Sequence, residues 1–324
     1  MGYAKSVYAK AAEILKERKS AAIEAANIKK NTLRAKIPEY KAVTDEMRSI
    51  GLSIARAAFG DNPKADIAEL REKSLACQAL AREILRKNGY DEDCTEVKYY
   101  CGKCKDSGFV NGSVCSCHKA LLCETAKKEL GKCAPVKDCT FSNFDLSFYD
   151  SITDEDGEYI GEYMSDIYRF CKCYAEDFGE ASPSLFMYGK TGLGKTHLSI
   201  AIAGTVIEKG YGVIYASAQN LIAGLENARF GRTNNFYSEN ALLNCDLLII
   251  DDLGAELNNQ FSISEIYNIV NTRLSSGKPT IISTNLDIRG IEARYTERIS
   301  SRIMGEYQMI KFYGTDIRVK KNNE

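Results

Sequence analysis

The sequence of 324 residues contains no apolar run that approaches the ~20 residues needed to cross a membrane. Its N-terminus, MGYAKSVYAKAAEILKERK, also lacks the apolar segment of a secretory signal peptide. From these two absences we expect a cytoplasmic protein without a membrane anchor.

A strong net charge, Gly/Ser-rich linkers and internal repeats are absent as well. The formal net charge is −1 and the isoelectric point is about 6.3. These values exclude a protein whose whole surface is a basic field for nucleic acid, although a local patch remains possible. One local excess is present, because the first forty residues carry nine Lys and Arg but four Glu.

Cysteine, in contrast, is abundant, with twelve residues. Disulfides are rare in the cytosol, so clustered cysteines there more often bind metal. A C-x-x-C pair followed by a second close pair provides four soft ligands for tetrahedral zinc, and Gly108 and Gly112 between them suit tight turns. Because a segment of about thirty residues cannot build its own core, the metal is expected to be structural. The predicted ligands are Cys101, Cys104, Cys115 and Cys117.

Other cysteines leave alternatives open. His118 could replace Cys117 as a ligand, although adjacent residues rarely both bind one metal. Four cysteines lie close enough to keep the assignment open, and four others in periodic segments are interpreted as small core residues. The first set is Cys94, Cys123, Cys133 and Cys139, and the second is Cys77, Cys171, Cys173 and Cys245.

The chain changes character along its length. Residues 1–88 are predicted to be helical, with an interruption at Pro38 and a stop at Asn88-Gly89. An apolar stripe near a 3–4 residue period follows Ile67, Leu70, Cys77, Leu80, Ala81 and Ile84. It is narrow, which favours a helical hairpin or a partner-docking helix over an independent core. The alternative is a helical extension that lies on the C-terminal domain.

From about residue 158 onward, helical patterns alternate with short apolar runs. This alternation predicts a parallel sheet with helices on both faces, and hence an α/β fold. The runs are 184–188, 212–215, 246–250 and 279–283.

A phosphate-binding loop follows the first of these runs. The pattern G-x-x-x-x-G-K-[ST] matches without a mismatch, and a helical pattern over 196–208 comes next. Backbone N–H groups of such a loop surround phosphate oxygens, the lysine reaches the β- and γ-phosphates, and the hydroxyl binds Mg²⁺. The predicted ATP and Mg²⁺ residues are Gly189, Lys190, Thr191, Gly192, Leu193, Gly194, Lys195 and Thr196.

Polar residues follow the last two of the four apolar runs. Asp251 follows the run Leu-Leu-Ile-Ile and is predicted to hold Mg²⁺ through its water shell, while Asp252 would orient or deprotonate the attacking water. Two adjacent carboxylates could instead cap a helix. Asn285 follows the strand expected between those of the loop and of Asp251, where it would position the water near the γ-phosphate. A lone Asn is otherwise a common turn residue.

Two further groups of basic residues stand out. Arg298 and Arg302 are four apart, so they share one helix face and could supply an arginine finger; a solvated basic face is the alternative. Basic and aromatic residues interleave over 226–237, as in proteins that bind single strands, although a packed helix–loop is equally compatible. The DNA-binding candidates are Arg229, Phe230, Arg232 and Phe261.

Together these motifs resemble the AAA+ ATPases of the DnaC/DnaI type, the loaders of the replicative helicase, with IstB as a near relative. The resemblance extends over most of the chain. The sequence is most similar to the variants found in firmicutes, their phages and mobile elements. It is strongest over 101–117, 141–149, 189–196, 247–256, 280–286, 297–302 and 311–318.

The resemblance implies an ATPase of AAA+ fold that hydrolyses ATP slowly, in a homo-oligomer in which Arg302 acts in trans and Arg298 is a structural or cis-acting partner. It implies single-stranded DNA in the channel and a DnaB-type helicase on the N-terminal region. Only twenty-two residues follow Arg302, too few for a helical lid. Asp252 stands where many relatives have Glu, which predicts weak hydrolysis unless Glu256 compensates.

The expected regions are a helical docking region (1–90), a zinc module (91–123), a connector (124–157) and a lidless ATPase domain (158–324). Two alternative functions remain. One is an IstB-like regulator of a transposase on duplex DNA, and the other is a nucleotide-dependent adaptor that hydrolyses little ATP.

Overall fold

The computed structural model describes residues 2–57, 63–134, 139–149, 159–230 and 239–317. It divides the chain into two compact units, one of Ala12–His118 and one that combines Met1–Ala11 with Lys119–Glu324. The helical and cysteine-rich regions therefore share one unit, here called the N-terminal unit. The connector and the sheet share the other, here called the nucleotide unit. None of the described helices is long and apolar enough to cross a bilayer.

Three helices account for most of the N-terminal region: α1 (Lys5–Lys36), α2 (Pro38–Ala57) and α3 (Pro63–Lys87). Pro38 interrupts the helical run as predicted, and it then starts α2 at the first helical position, where its missing N–H costs nothing. Helices α2 and α3 pack as a hairpin.

The N-terminal unit has a hydrophobic core of its own, contrary to expectation. The end of α1 contributes Leu33, and Leu85 is buried at the end of α3. Leu80, predicted on the apolar stripe, is 46 % exposed instead. The apolar stripe of α3 was judged too narrow for a core because it included neither Leu85 nor the residues that α1 contributes. The buried cluster comprises Leu33, Ile37, Tyr40, Val43, Ile50, Cys77, Ala81, Ile84 and Leu85.

A small hairpin lies inside the cysteine-rich segment. Strands β1 (Phe109–Val110) and β2 (Ser113–Val114) pair antiparallel through a two-residue Asn111-Gly112 turn. Both turn residues have positive φ, at 51° and 79°, which is the conformation that Asn-Gly hairpin turns favour. Helix α4 (Ser116–Cys133) follows.

The nucleotide unit contains a parallel sheet of five strands, which confirms the predicted α/β fold. The strand order is β4-β5-β6-β3-β7. Four strands match the predicted runs, and β7 was not predicted. The bounds are β3 Ser184–Tyr188, β4 Val213–Ser217, β5 Leu247–Leu253, β6 Thr280–Thr284 and β7 Tyr307–Lys311.

Helices surround this sheet. The α-helices are α5 Ile160–Glu176, α6 Lys195–Glu208, α7 Ala218–Arg229, α8 Glu239–Asn244, α9 Gln260–Ser275, α10 Ile288–Tyr295 and α11 Glu297–Glu306. Two 3-10 helices, Phe141–Asn143 and Leu146–Tyr149, precede α5.

Both faces of the sheet are buried, which explains why its strands are continuous apolar runs. On β5, Ile249 faces a core that includes Leu198 of α6 and Met164 of α5. Its neighbour Ile250 faces a second core that includes Ile266 of α9. Adjacent strand residues point to opposite faces, so each strand supplies both cores.

The cysteines predicted to be small core residues differ in burial. Cys77 and Cys171 are buried and Cys245 is partly buried, as predicted for small core residues. Cys173 is exposed, so its prediction was wrong. It lies on α5 two residues after Cys171, a spacing that places the two side chains on different sides of a helix.

A buried arginine connects α9 by hydrogen bonds to the segments that precede β5 and β6. The guanidinium of Arg273, at the end of α9, is fully buried. It donates hydrogen bonds to the carbonyls of Leu242 (2.7 Å), Cys245 (3.1 Å) and Pro279 (2.6 Å), and to Thr280 Oγ1 (2.9 Å). Arg273 therefore supplies buried donors to backbone acceptors that lead into β5 and β6.

Replacing Arg273 by methionine is predicted to destabilise the protein by about 3 kcal/mol or more. Methionine keeps most of the volume but removes the guanidinium donors to the carbonyls of Leu242, Cys245 and Pro279 and to the Thr280 hydroxyl. Urea unfolding measures the loss, and Arg289→Met, at an exposed position on α10, is the matched control. Equal stability of the two variants would show that Arg273 only fills space.

Candidate functional site

The phosphate-binding loop joins β3 to α6, as its sequence predicted. Gly192 and Gly194 both have positive φ, at 77° and 88°. A Cβ on Gly194 would lie 2.8 Å from the Phe144 ring and 2.9 Å from the Tyr149 hydroxyl. Glycine is therefore required at this position by both conformation and space. The backbone N–H groups at the start of α6 are left to bind an anion.

Two segments hold this loop from outside. The Tyr149 hydroxyl is buried and donates to Leu193 O at 2.9 Å, and burial raises the pKa of this phenol well above its usual range. On the other side, the N–H of Ile317 donates to Gly192 O at 3.1 Å. A Cβ on Gly192 would meet the Asp316 carboxylate at 1.9 Å. The loop shape therefore depends on the segments 144–149 and 312–317.

Lys195, Asn285 and Asp252 form a hydrogen-bonded chain. The buried Lys195 ammonium donates to Asn285 Oδ1 at 2.9 Å and to the carbonyls of Gly189 and Lys190 at 2.7 Å. The same Asn285 donates through Nδ2 to Asp252 Oδ1 at 2.7 Å. An ammonium can only donate and a carboxylate can only accept, so the two partners fix the orientation of the amide.

Asp251 lies at the centre of a second network. Its buried carboxylate accepts hydrogen bonds from Thr196 Oγ1 (3.0 and 3.1 Å) and from the Tyr215 hydroxyl (2.7 Å). The Ser283 hydroxyl also donates to Asp251. Asp251 and Thr196 are thereby placed side by side, as a shared magnesium site requires.

A β-bulge directs the two adjacent carboxylates, Asp251 and Asp252, to different hydrogen-bond partners. The register between β5 and β6 shifts between Ile250 and Leu253, and Asp252 has φ of 55°. The bulge turns Asp252 toward Asn285 while Asp251 stays in the polar network. Asp and Asn tolerate this left-handed conformation better than most residues, which gives a physical reason for Asp rather than Glu at this position.

The cleft beside the loop has a volume of about 450 Å³. It is lined by the loop, by Asp251, Asp252, Ser283 and Asn285, and also by residues of 139–149. Within that segment Phe144 stacks on Tyr149 and Tyr168, with ring centroids 6.0 and 5.6 Å apart. The sequence interpretation treated this segment as a connector. Its density of aromatic residues just before the ATPase pattern was the available signal.

Glu256 has a structural role, not the compensating one considered from sequence. It is buried and accepts a hydrogen bond from the N–H of Gly254 at 2.9 Å. The Tyr295 hydroxyl also donates to Glu256, and Arg294 Nε lies 3.6 Å from it. These contacts connect the end of β5 to α10.

Arg298 and Arg302 share the exposed face of α11, as their spacing predicted. They line a cleft of about 580 Å³ together with Tyr267, Glu297 and Ser301. Neither guanidinium makes a hydrogen bond or ion pair with another residue in the described ranges. Both are therefore available to a group outside the chain.

Three of the four DNA-binding candidates lie in the described residues. Arg229 stacks over the Phe261 ring, with 5.4 Å between the guanidinium carbon and the ring centroid. Phe230, at the end of α7, is 68 % exposed. Arg232 lies outside the described residues. The structure thus groups Arg229 with Phe261 and leaves Phe230 open to solvent.

The four predicted cysteine ligands converge. Their sulfur atoms all lie within 4.8 Å of one another, with Cys101 and Cys115 3.8 Å apart and Cys104 and Cys117 3.4 Å apart. A regular tetrahedron with metal–sulfur bonds of about 2.3 Å has edges of about 3.8 Å, so the cluster could hold a zinc ion. A hydrogen bond from the Cys104 N–H lowers the pKa of the Cys101 thiol to about 7. This favours the thiolate that a metal needs.

The surroundings support the cluster. Asp106 is buried and accepts from the backbone N–H groups of Tyr100 (3.0 Å) and Cys101 (2.8 Å), which fixes the first knuckle. His118 is outside the sulfur cluster, and its ring meets Phe109 edge-on at 5.5 Å. Gly108 and Gly112 both have positive φ, as expected of tight turns.

Comparison with known proteins identifies relatives. The family model described as IstB-like ATP binding protein matches residues 165–323. The replicative helicase loader DnaC of Buchnera aphidicola from Acyrthosiphon pisum is 26 % identical over 227 residues, which cover 69 % of this chain and 85 % of the relative. The DnaC of Buchnera from Baizongia pistaciae is 34 % identical over 135 residues, or 41 % of this chain and about half (54 %) of the relative. A crystal structure of the DnaC helicase loader is 22 % identical and covers 53 % of this chain and 98 % of the other, with a TM-score of 0.43.

The parallel sheet, the phosphate-binding loop and the strand-end carboxylates define an ATP-binding domain of the AAA+ P-loop class. Residues 165–323 match the model of the IstB-like ATP-binding proteins, and the chain is homologous to the DnaC helicase loaders.

Replacing Asn285 by alanine is predicted to reduce ATP hydrolysis by roughly 10²-fold and to change ATP affinity by less than about threefold. The variant loses the amide between Lys195 and Asp252 but keeps the loop. Nucleotide titration and single-turnover hydrolysis measure the two effects, with Asn244→Ala on the exposed side of α8 as the control. Unchanged hydrolysis would exclude Asn285 from the reaction.

Proposed function

We propose that the protein is an ATP-dependent loader of the replicative DNA helicase. The observation that carries this proposal is the chain Lys195–Asn285–Asp252 beside a phosphate loop, in a protein homologous to DnaC loaders. This arrangement connects the lysine expected at the γ-phosphate to the carboxylate expected at the attacking water. ATP state would therefore control the conformation with which the protein holds its partners.

The chain would bind ATP with Mg²⁺ in the cleft. Backbone N–H groups of residues 189–196 would bind the phosphates, and Thr196 and Asp251 would hold Mg²⁺ directly or through water. Asp252 would orient the water through its bond to Asn285. The short Asp252 side chain in a left-handed backbone supports slow hydrolysis, which suits a switch better than a motor.

The site is completed by a neighbouring subunit in this proposal. Arg302 is exposed, and within the described residues it has no ion-pair partner. A guanidinium in that state is suited to stabilise charge on a γ-phosphate of another subunit. Arg298, one turn earlier on the same face, would support Arg302 or contact the nucleotide of its own chain. A homo-oligomer follows from this arrangement.

Helicase docking is assigned to the N-terminal unit. Leu52 on α2 and Leu75 on α3 are 59 % and 63 % exposed, although α2 and α3 pack together as a hairpin. Exposed leucines on amphipathic helices are suited to a helix-on-helix contact with a partner. The four cysteines would hold a structural zinc ion that keeps the adjoining segment folded.

Single-stranded DNA would contact the end of α7. Arg229 stacked on Phe261, with the exposed Phe230 beside it, combines a cation with a free aromatic face. Arg232 is part of the same proposal from its sequence position alone.

The match to the IstB-like family favours one alternative, an ATPase that regulates a transposase on duplex DNA. A nucleotide-dependent adaptor with little hydrolysis is the other. Capture of a transposase instead of a helicase would support the first, and loading without measurable turnover would support the second.

Purified protein is predicted to capture the cognate DnaB-type helicase, and the double substitution Leu52→Asp with Leu75→Asp is predicted to weaken capture by about tenfold or more. Two charges would have to be buried in the contact. Leu257→Asp, at an 81 % exposed position of the nucleotide unit, is the control. A loader role is refuted if the wild-type chain binds no helicase with or without ATP.

Arg302→Ala is predicted to bind ATP normally but to lose hydrolysis by roughly 10³-fold, in line with other arginine fingers. A mixing experiment separates action in trans from action in cis. Subunits with Arg302→Ala keep an intact loop, and subunits with Lys195→Ala keep the arginine. If Arg302 acts in trans, mixing the two inactive proteins restores part of the hydrolysis, whereas a cis-acting arginine gives none.

A further inference from the structure

Two aromatic side chains of the cysteine-rich segment are open to solvent. Tyr100, directly before the first cysteine, is 75 % exposed, and Phe109, at the start of β1, is 51 % exposed. The core of the N-terminal unit does not use either ring. Large exposed rings on a small folded segment indicate a contact surface more than they indicate stability.

The exposed charged side chains within residues 97–117 have one sign. Residues 97–117 contain three lysines, Lys98, Lys103 and Lys105, and all three are exposed. The single carboxylate in this stretch belongs to Asp106, which is 2 % exposed and is occupied by two backbone N–H groups. Lys98 also lies 3.7 Å from the exposed Asp93, a contact that solvent screens. Residues 97–117 therefore present cations and no exposed carboxylate, while the exposed Asp93 and Glu96 that precede them pair with Lys98 and Arg82.

Helix α1 contacts both segments that carry the rings. The Arg18 guanidinium lies 4.2 Å from the centre of the Tyr100 ring. Leu15, one turn earlier on the same face, packs against Gly108, where a Cβ would lie 2.8 Å from its methyl group. Arg18 and Leu15 are three residues apart on α1, and such residues are about 5–6 Å apart. Tyr100 and the Gly108–Phe109 backbone therefore contact neighbouring turns of this helix. Arg18 adds a fourth cation to the group.

The backbone beneath the rings is fixed. Phe109 pairs with Val114 across the hairpin, and its ring contacts the buried His118. The N–H of Tyr100 is held by Asp106 at 3.0 Å. A rigid support means that a stacked ligand would cost little ordering of the protein.

We propose that this surface, named the Tyr100 surface and comprising Arg18, Lys98, Tyr100, Lys103, Lys105 and Phe109, binds single-stranded nucleic acid. The rings would stack on bases, and the lysines would neutralise phosphates. Lysine is depleted in protein–protein interfaces, whereas a group of lysines beside exposed rings complements a single strand. Its residues belong to the N-terminal unit, whereas Arg229 and Phe261 belong to the nucleotide unit. Binding to it would need neither ATP nor assembly.

The test uses a fluorescein-labelled oligothymidylate and the full-length protein without nucleotide, followed by fluorescence anisotropy. Tyr100→Ala with Phe109→Ala is expected to weaken binding by about tenfold or more, and Tyr100→Phe alone to keep it, because stacking needs only the ring. Lys103→Gln with Lys105→Gln is expected to lower the slope of log K against log salt by about 1.4, or about 0.7 for each phosphate contact. Leu257→Asp and Lys41→Gln, both exposed, are the controls.

Zinc content and circular dichroism of each variant show whether it is folded. The double alanine variant is also assayed for helicase capture, which it is expected to retain, so this inference and the proposed loader function fail separately. The inference is overturned if folded Tyr100→Ala/Phe109→Ala protein binds the oligonucleotide like the wild type. It is overturned equally if that variant keeps DNA binding and loses the helicase, since the surface would then belong to a protein partner.

Discussion

The buried carboxylate of Asp251 is the interaction on which the nucleotide unit depends. Hydroxyls from α6, β4 and β6 all donate to it, through Thr196, Tyr215 and Ser283. A buried carboxylate is costly unless it is fully hydrogen-bonded, so these three elements must occupy fixed positions around β5. The same hydroxyls that satisfy the charge therefore align the phosphate loop with the strand ends.

The bulge after Asp251 sets the direction in which the Asp252 side chain points. Without an extra residue in β5, the side chains would keep alternating along the strand. Asp252 would then point to the face of the sheet opposite that of Asp251. The bulge and its positive φ bring the carboxylate to the Asn285 amide instead. One irregular residue thus gives the strand two carboxylates that belong to different hydrogen-bond networks. Strain of this kind is common where backbone conformation serves chemistry.

Much of this arrangement was predictable because it is local in sequence. The phosphate loop, four of the five strands and the cysteine cluster each have a short pattern with a direct physical cause. The strand β7 has no such pattern, since Tyr307–Lys311 is a half-exposed edge strand in which Gln308 and Lys311 prevent a continuous apolar run. The contribution of Phe144 and Tyr149 to the loop was also missed, because it joins residues about fifty positions apart. Cys173 and Leu80 were misplaced since a helical period does not say how wide the buried face is.

The segment 312–317 closes the phosphate loop, and its position in the chain has a consequence for synthesis. β7 pairs with β3, more than a hundred residues earlier, and Ile317 then donates to Gly192. A nascent chain that has not yet emerged from the ribosome through residue 317 has β3 without one neighbour and a phosphate loop without one support. The set of contacts that shapes the phosphate loop is therefore complete only once residue 317 is available. Prematurely terminated chains would carry the nucleotide motif in the sequence but lack the shape that uses it.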